Sequence, residues 1–222
     1  MQSSAETRWF FDNRKSARPI ENWFHHFRLT LNDRLFDRHD YYLKLPGVIN
    51  LGLKIREPNL IKGKMKGKLE AKTLVKELPL VRLRGDNTGK ANQWSKFSFN
   101  LAEDDAALLS ILNNYPAAAD ATGKLSREHW IKLEKSRILV TYDPTTKQIT
   151  DTKPDEGCGI EFTAIRVDST THYSFGLEAF SSRGNQEPLL YEALSFVFDQ
   201  IKINGLSAKN SLTYPEFILS KI

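Results

Sequence analysis

The sequence predicts an α+β protein, mainly β: about eight antiparallel strands forming a tunnel-like barrel, with a polar interior and helices packed outside. Three observations predict it. In residues 61–72 every even position is charged (Lys62, Lys64, Lys66, Lys68, Glu70, Lys72) and every odd one is apolar or glycine. That is the two-residue period of a strand, which sends alternate side chains to opposite faces. Most other strand-like segments repeat the pattern, with ions on one face and Trp, Phe, Leu, Ile or Val on the other. Finally, the connections are mostly short and a few helical segments interrupt the strands, as in an antiparallel barrel.

Composition bounds the class. The chain has 222 residues, 40% hydrophobic and 11% aromatic, enough for a sizeable core. A formal net charge of +5 favours anionic partners. The one cysteine, Cys158, excludes an internal disulfide and a multi-cysteine zinc site. No apolar run reaches the roughly 18 residues of a membrane span, and no apolar N-terminal run reads as a secretory signal. The expectation is a cytoplasmic protein with no membrane contact. No linker divides the chain, so residues 1–222 are read as one domain, with a strand core over about 4–180 and a C-terminal helix and tail over 186–222.

Residues 6–11 open the domain as a strand, with Glu6 and Arg8 on one face and Thr7 and Trp9 on the other. Trp23, Phe24, Phe27, Leu29, Leu31, Leu35 and Phe36 recur at roughly helical spacing and predict a helix over 19–38. The adjacent His25 and His26 diverge on a helix and make a poor metal pair. Strands follow at 40–46, stopped by Pro46-Gly47, and at 50–57, with Lys54 and Arg56 opposite Leu53 and Ile55. The lysine ladder continues through 73–75, and 78–84 carries Arg82 and Arg84. After the 85–89 loop comes a strand over 93–99, with Lys96 between Trp94 and Ser98 on one face. Acidic residues 103–105 in a first turn predict a helix over 101–112. A strand over 130–142 aligns Leu133, Lys135, Arg137, Leu139 and Thr141. Residues 159–167 and 172–180 form a hairpin that turns through 168–171. It places Glu161, Thr163 and Ile165 on one face of the first arm, with Ser174, Gly176 and Glu178 on the second. An amphipathic helix spans 188–202, and the tail buries the aromatics of Tyr214-Pro-Glu-Phe217.

Strand parity makes Arg8, Lys54, Arg56, Lys72, Lys96, Lys135 and Arg137 available to one channel, beside Glu6, Glu70, Glu161 and Glu178. Cations in that density hold phosphoryl oxygens, and carboxylates hold a hard divalent ion. Alternating charge is equally the mark of a solvent-facing sheet, so period alone leaves both readings open.

The order of these motifs resembles the CYTH, or triphosphate tunnel metalloenzyme, superfamily. Its opening Glu-x-Glu-x-Lys is similar to Ser4-Ala-Glu6-Thr-Arg8, with the first glutamate replaced by serine. Its paired basic residues resemble Lys54-Ile-Arg56 and Lys135-Ser-Arg137, and its single lysine resembles Lys72. Its late acidic residues resemble Glu161 and Glu178, although the closing Glu-x-Glu keeps one carboxylate. The resemblance implies an eight-stranded tunnel acting on triphosphates or related anions with Mg²⁺ or Mn²⁺. Glu6, Glu161 and Glu178 would be the metal-holding and catalytic residues. Arg8, Lys54, Arg56, Lys72, Lys96, Lys135 and Arg137 would grip phosphates. A metal-dependent phosphohydrolase is therefore the leading expectation. A non-catalytic binder of nucleotide or polyphosphate is the alternative, and a nucleic-acid binder using the external ladder a lesser one. Ser-His-Asp and Cys-His catalysis have little support: Cys158 reads as a strand-edge thiol, and His172 shares the parity of Glu178 at the tunnel mouth.

Overall fold

The computed structural model describes residues 2–32, 35–61, 64–101, 130–150, 152 and 154–222, without the side chains of 57–61, 64–66 and 101. The helix expected over 101–112 and Lys62 of the ladder lie outside the described residues, as do the side chains of Lys64 and Lys66.

Long strands form wherever the two-residue period runs. They are β1 (Gln2–Phe11), β2 (Arg38–Leu43), β3 (Leu51–Ile61), β4 (Lys64–Glu77), β7 (Ala91–Leu101), β8 (Trp130–Asp143), β10 (Gly157–Val167) and β11 (Thr170–Phe180). The two-residue strands β5 (Val81–Arg82) and β6 (Thr88–Gly89) pair with each other, and β9 (Gln148–Thr150) flanks β8. The eight long strands pair in the order β10-β11-β1-β7-β4-β3-β2-β8, and β8 returns to β10, closing an antiparallel barrel.

The outer face of β1, β8, β10 and β11 is apolar and covered. Helix α1 (Arg14–His25) lays Ala17, Ile20, Trp23 and Phe24 on it, and α2 (Gln186–Gln200) adds Leu190, Leu194 and Val197. Trp9, Phe162, Phe175 and Leu177 are fully buried beneath them. Burial of side chains this large is the main stabilisation of the fold, each contributing about 1.5–3 kcal/mol.

Helix α1 is shorter than its apolar spacing predicts. Asn13 caps it by accepting from the Ser16 N–H at 3.0 Å, and the chain leaves the helix by Arg28, whose φ is +59°. Leu31 then packs into the same core from non-helical backbone. The tail, expected only to bury aromatics, forms the third helix among the described residues, α3 (Tyr214–Lys221). A capping box starts it: Thr213 accepts from the Glu216 N–H at 3.3 Å, and the Glu216 carboxylate accepts from the Thr213 N–H at 2.7 Å. Its Phe217 and Ile218 join Phe10, Tyr42, Leu133, Ile165 and Val167. Phe10 shares the inward parity of Glu6 and Arg8, so α3 stoppers one end of the barrel and turns the expected tunnel into a cup.

Two sequence expectations are corrected here. Cys158 is no edge thiol: β10 is paired on both sides, opposite Tyr142 and Ala179, and burial pushes the thiol pKa far up. His172 lies at the stoppered end, its ring edge on Phe217 and its Nδ1 3.5 Å from Asp12, away from any mouth.

Candidate functional site

All eleven residues assigned to one channel from the sequence line one cavity inside the barrel: Glu6, Arg8, Lys54, Arg56, Glu70, Lys72, Lys96, Lys135, Arg137, Glu161 and Glu178. Its space is about 820 Å³, including the part open to solvent. Strand pairing explains the convergence. Glu6 lies opposite Glu178, Lys54 opposite Glu70, and Lys72 opposite Lys96, each pair turned inward by strand parity.

The ladder of residues 61–72 is divided. Glu70 and Lys72 are inside the barrel and take ion-pair partners there, whereas Lys68, on the same face of β4, is exposed. Lys72 and Lys96 would repel as directly opposed like charges. They turn to different acids: Lys72 to Glu6 and Glu178, and Lys96 to Glu70 at 3.3 Å.

Three acid–base groups make up the lining. In the first, Lys72 Nζ donates to Glu6 at 2.8 Å and to Glu178 at 3.0 Å. Burial works against the Lys72 charge, but Glu178 and Glu6 outweigh it and raise its pKa. The two carboxyl groups are driven apart. Burial, with help from the Glu178 charge, raises Glu6, whereas Lys72 lowers Glu178.

In the second group, Glu161 accepts from Arg8 at 3.0 Å, Arg137 at 3.1 Å and the Thr163 hydroxyl at 2.9 Å. Against the effect of burial, Arg8 and Arg137 hold its pKa well below the usual carboxylate range. Gly176, opposite Arg8, leaves room for the guanidinium: a Cβ there would sit 2.6 Å from Arg8 Cζ.

The third group is centred on Asp40, which sequence reasoning missed. Its side chain has no solvent exposure, and Lys135, Lys54 and Arg38 stand 3.0, 3.2 and 3.2 Å from it. Arg56 is 3.6 Å away and pairs with Glu70 at 2.8 Å. These cations overcome burial and hold Asp40 ionised far below its usual range. The lysines bear the cost. Burial, only partly offset by Asp40, brings Lys54 down to about 7 and Lys135 to about 8. Lys135 Nζ also lies 3.9 Å above the Tyr214 ring, which stacks on Tyr42. The C-terminal stopper is therefore part of the site. Its capping signature, Thr213-x-x-Glu216, was readable in the sequence. Asp40 carried no such signal, because apart from Arg38 on its own strand its partners arrive from two other strands.

The lining does not fit a divalent cation held by Glu6, Glu161 and Glu178. An ammonium already bridges two of these carboxylates, and the third is occupied by two guanidiniums and a hydroxyl. Ser4, where the resemblance would place a further carboxylate, is buried. Among the described residues, no three of His, Cys, Asp and Glu are grouped to hold a metal ion.

No protein-family model and no curated protein matches the chain. One solved structure similar to it is the crystal structure of a protein described as a "putative adenylate cyclase" from Bacillus halodurans. It is 10% identical, with a TM-score of 0.38, and the match covers 92% of this chain and 96% of that one. At that level the likeness is too loose to transfer a residue or a reaction. Among the described residues no helix is long and apolar enough to cross a membrane.

Proposed function

We propose that the barrel binds a small, multiply phosphorylated anion, such as inorganic triphosphate, a nucleoside triphosphate or short polyphosphate, in its interior cavity. One observation carries this reading. Eight Lys and Arg side chains (Arg8, Arg38, Lys54, Arg56, Lys72, Lys96, Lys135 and Arg137) converge on a cavity lined by four carboxylates. Concentrating like charge inside a protein is unfavourable without a matching counter-charge. Burial lowers Lys54 and Lys135, and an anion placed beside them would favour their charged forms. A triphosphate carries several negative charges on oxygens that lysine and arginine bind well. The order of motifs that resembles the triphosphate tunnel superfamily supports the same ligand class.

Calorimetric titration with tripolyphosphate, ATP and a long polyphosphate tests it. Saturable one-to-one binding of tripolyphosphate, weakened by salt, is expected. Binding that strengthens steadily with polymer length, and is lost in Lys68→Gln, would instead place the anion on the exposed part of the β4 ladder.

Hydrolysis is a second reading, favoured by the split between Glu6 and Glu178. A buried carboxylate with a raised pKa is a better proton acceptor. Glu6 would take the proton of a water whose oxygen bonds to the terminal phosphorus. The bridging P–O bond would break, and the departing diphosphate would carry the electron pair on its bridging oxygen, leaving the terminal phosphorus as orthophosphate. Phosphate release lost in Glu6→Gln, with binding retained, is the expected result; full release in that variant removes Glu6 from the role.

A further inference from the structure

The Glu6–Glu178 pair should not exist as drawn by β-pairing alone. The two residues are direct partners across β1 and β11, and both point inward. Like charges so placed destabilise a sheet and need a cation between them. The cation present is covalently part of the chain, since Lys72 reaches both from β4.

Three further features bear on this. Lys72 has no competing use for its charge in the sheet, because its cross-strand neighbours are Gly52 and Lys96. Glu161, the remaining candidate ligand, is turned toward Arg8 and Arg137. The opening carboxylate of the resembling pattern is Ser4, whose hydroxyl has no hydrogen-bond partner among the described residues, beside Trp94, whose indole N–H also has none. This wall of the cavity thus keeps two carboxylates and one ammonium, where a metal centre needs a free carboxylate set.

We propose that Lys72 is the resident cation of the Glu6–Glu178 pair, so that the cavity takes its phosphorylated ligand without a divalent metal ion. This rests on the phosphate-binding reading above for its ligand, but not for the state of the carboxylates. The ligand's charge is met by guanidinium and ammonium groups alone. Mg²⁺ in solution then competes with the protein for the free anion.

The test has two arms. In the first, tripolyphosphate is titrated into the intact protein in EDTA and again in excess Mg²⁺. Affinity in EDTA equal to or higher than in Mg²⁺ is expected. Affinity that rises roughly tenfold or more on adding Mg²⁺ overturns the proposal. The second arm uses the ligand-free protein and Mn²⁺, followed by electron paramagnetic resonance. The unaltered protein should leave millimolar Mn²⁺ free, whereas Lys72→Met should gain one bound ion and lose it again on further change of Glu178 to Gln. Stoichiometric Mn²⁺ in the unaltered protein, removed by Glu6→Gln, overturns the proposal whether or not Lys72→Met folds. If tripolyphosphate binds in neither condition, the proposed function fails, and the Mn²⁺ arm still decides the role of Lys72.

Discussion

Two acid–base groups in the same cavity are built in opposite ways. Around Asp40, one carboxylate serves Lys135, Lys54 and Arg38; around Lys72, one ammonium serves Glu6 and Glu178. The first is sealed against the C-terminal stopper, with Asp40 0% and Lys135 4% exposed, whereas Glu178 is 45% exposed. The first carries surplus positive charge, and burial lowers its lysines; the second carries surplus negative charge, which raises its lysine against burial. On the proposed function, a phosphate oxygen would be drawn to the Asp40 side and repelled by the carboxylates on the other. The cavity is asymmetric in charge, and that polarity would orient a bound anion.

The comparison breaks most visibly at Asp40. Asp40→Ala leaves buried cations without their shared anion, a change that costs about 3–5 kcal/mol in comparable buried pairs. Chemical denaturation should show the loss, and a variant as stable as the parent would mean the cations reach water freely. Next in size is Lys135→Met, which would remove a proposed phosphate partner and still leave Asp40 paired with Lys54 and Arg38. With a charge-assisted hydrogen bond worth about 1.5–3 kcal/mol, calorimetry should record a loss of tripolyphosphate affinity of roughly 10- to 100-fold. Unchanged affinity would move the anion away from the Asp40 side.

A pH titration sharpens the contrast further. Folded Lys54 and Lys135, at about 7 and 8, lie below the ordinary lysine value of 10.5. Above pH 7 the folded, ligand-free protein thus holds fewer protons at these sites than the unfolded chain. Stability at these sites therefore rises with pH from about 7 up to the ordinary value of 10.5, and that gain is lost as pH falls from 10.5 to about 7. Anion binding restores the protons, so affinity should fall over the same interval. Thermal unfolding and calorimetry at matched pH should trend in opposite directions, and parallel trends would remove both lysines from the binding site. The smallest effect belongs to Lys68→Gln. Exposed on the same face of β4 as Lys72, it should alter stability by no more than about 0.5 kcal/mol and leave tripolyphosphate affinity unchanged.

The site was largely legible because strand parity is a local property. Glu6 and Arg8, Lys54 and Arg56, and Lys135 and Arg137 are two residues apart, so each pair shares a face whatever surrounds it. The same logic could not separate Lys72 from Lys68, which share that parity but not an environment. Helix α1 was misjudged at its end for a related reason. Leu29, Leu31, Leu35 and Phe36 continue a helical spacing, but Arg28 leaves the helix and Leu31 reaches the core without it.

By itself, the sequence determined the strands, the face on which each charge lies and the basic surplus, because a two-residue period and side-chain chemistry depend only on neighbours along the chain. Only the tertiary structure decided that the charged faces turn inward around a cavity, that α3 stoppers one end, that Asp40 gathers cations from three strands, and that Lys72 occupies the space between two carboxylates. Those outcomes depend on barrel closure and register, which bring together residues as distant as Lys72 and Glu178.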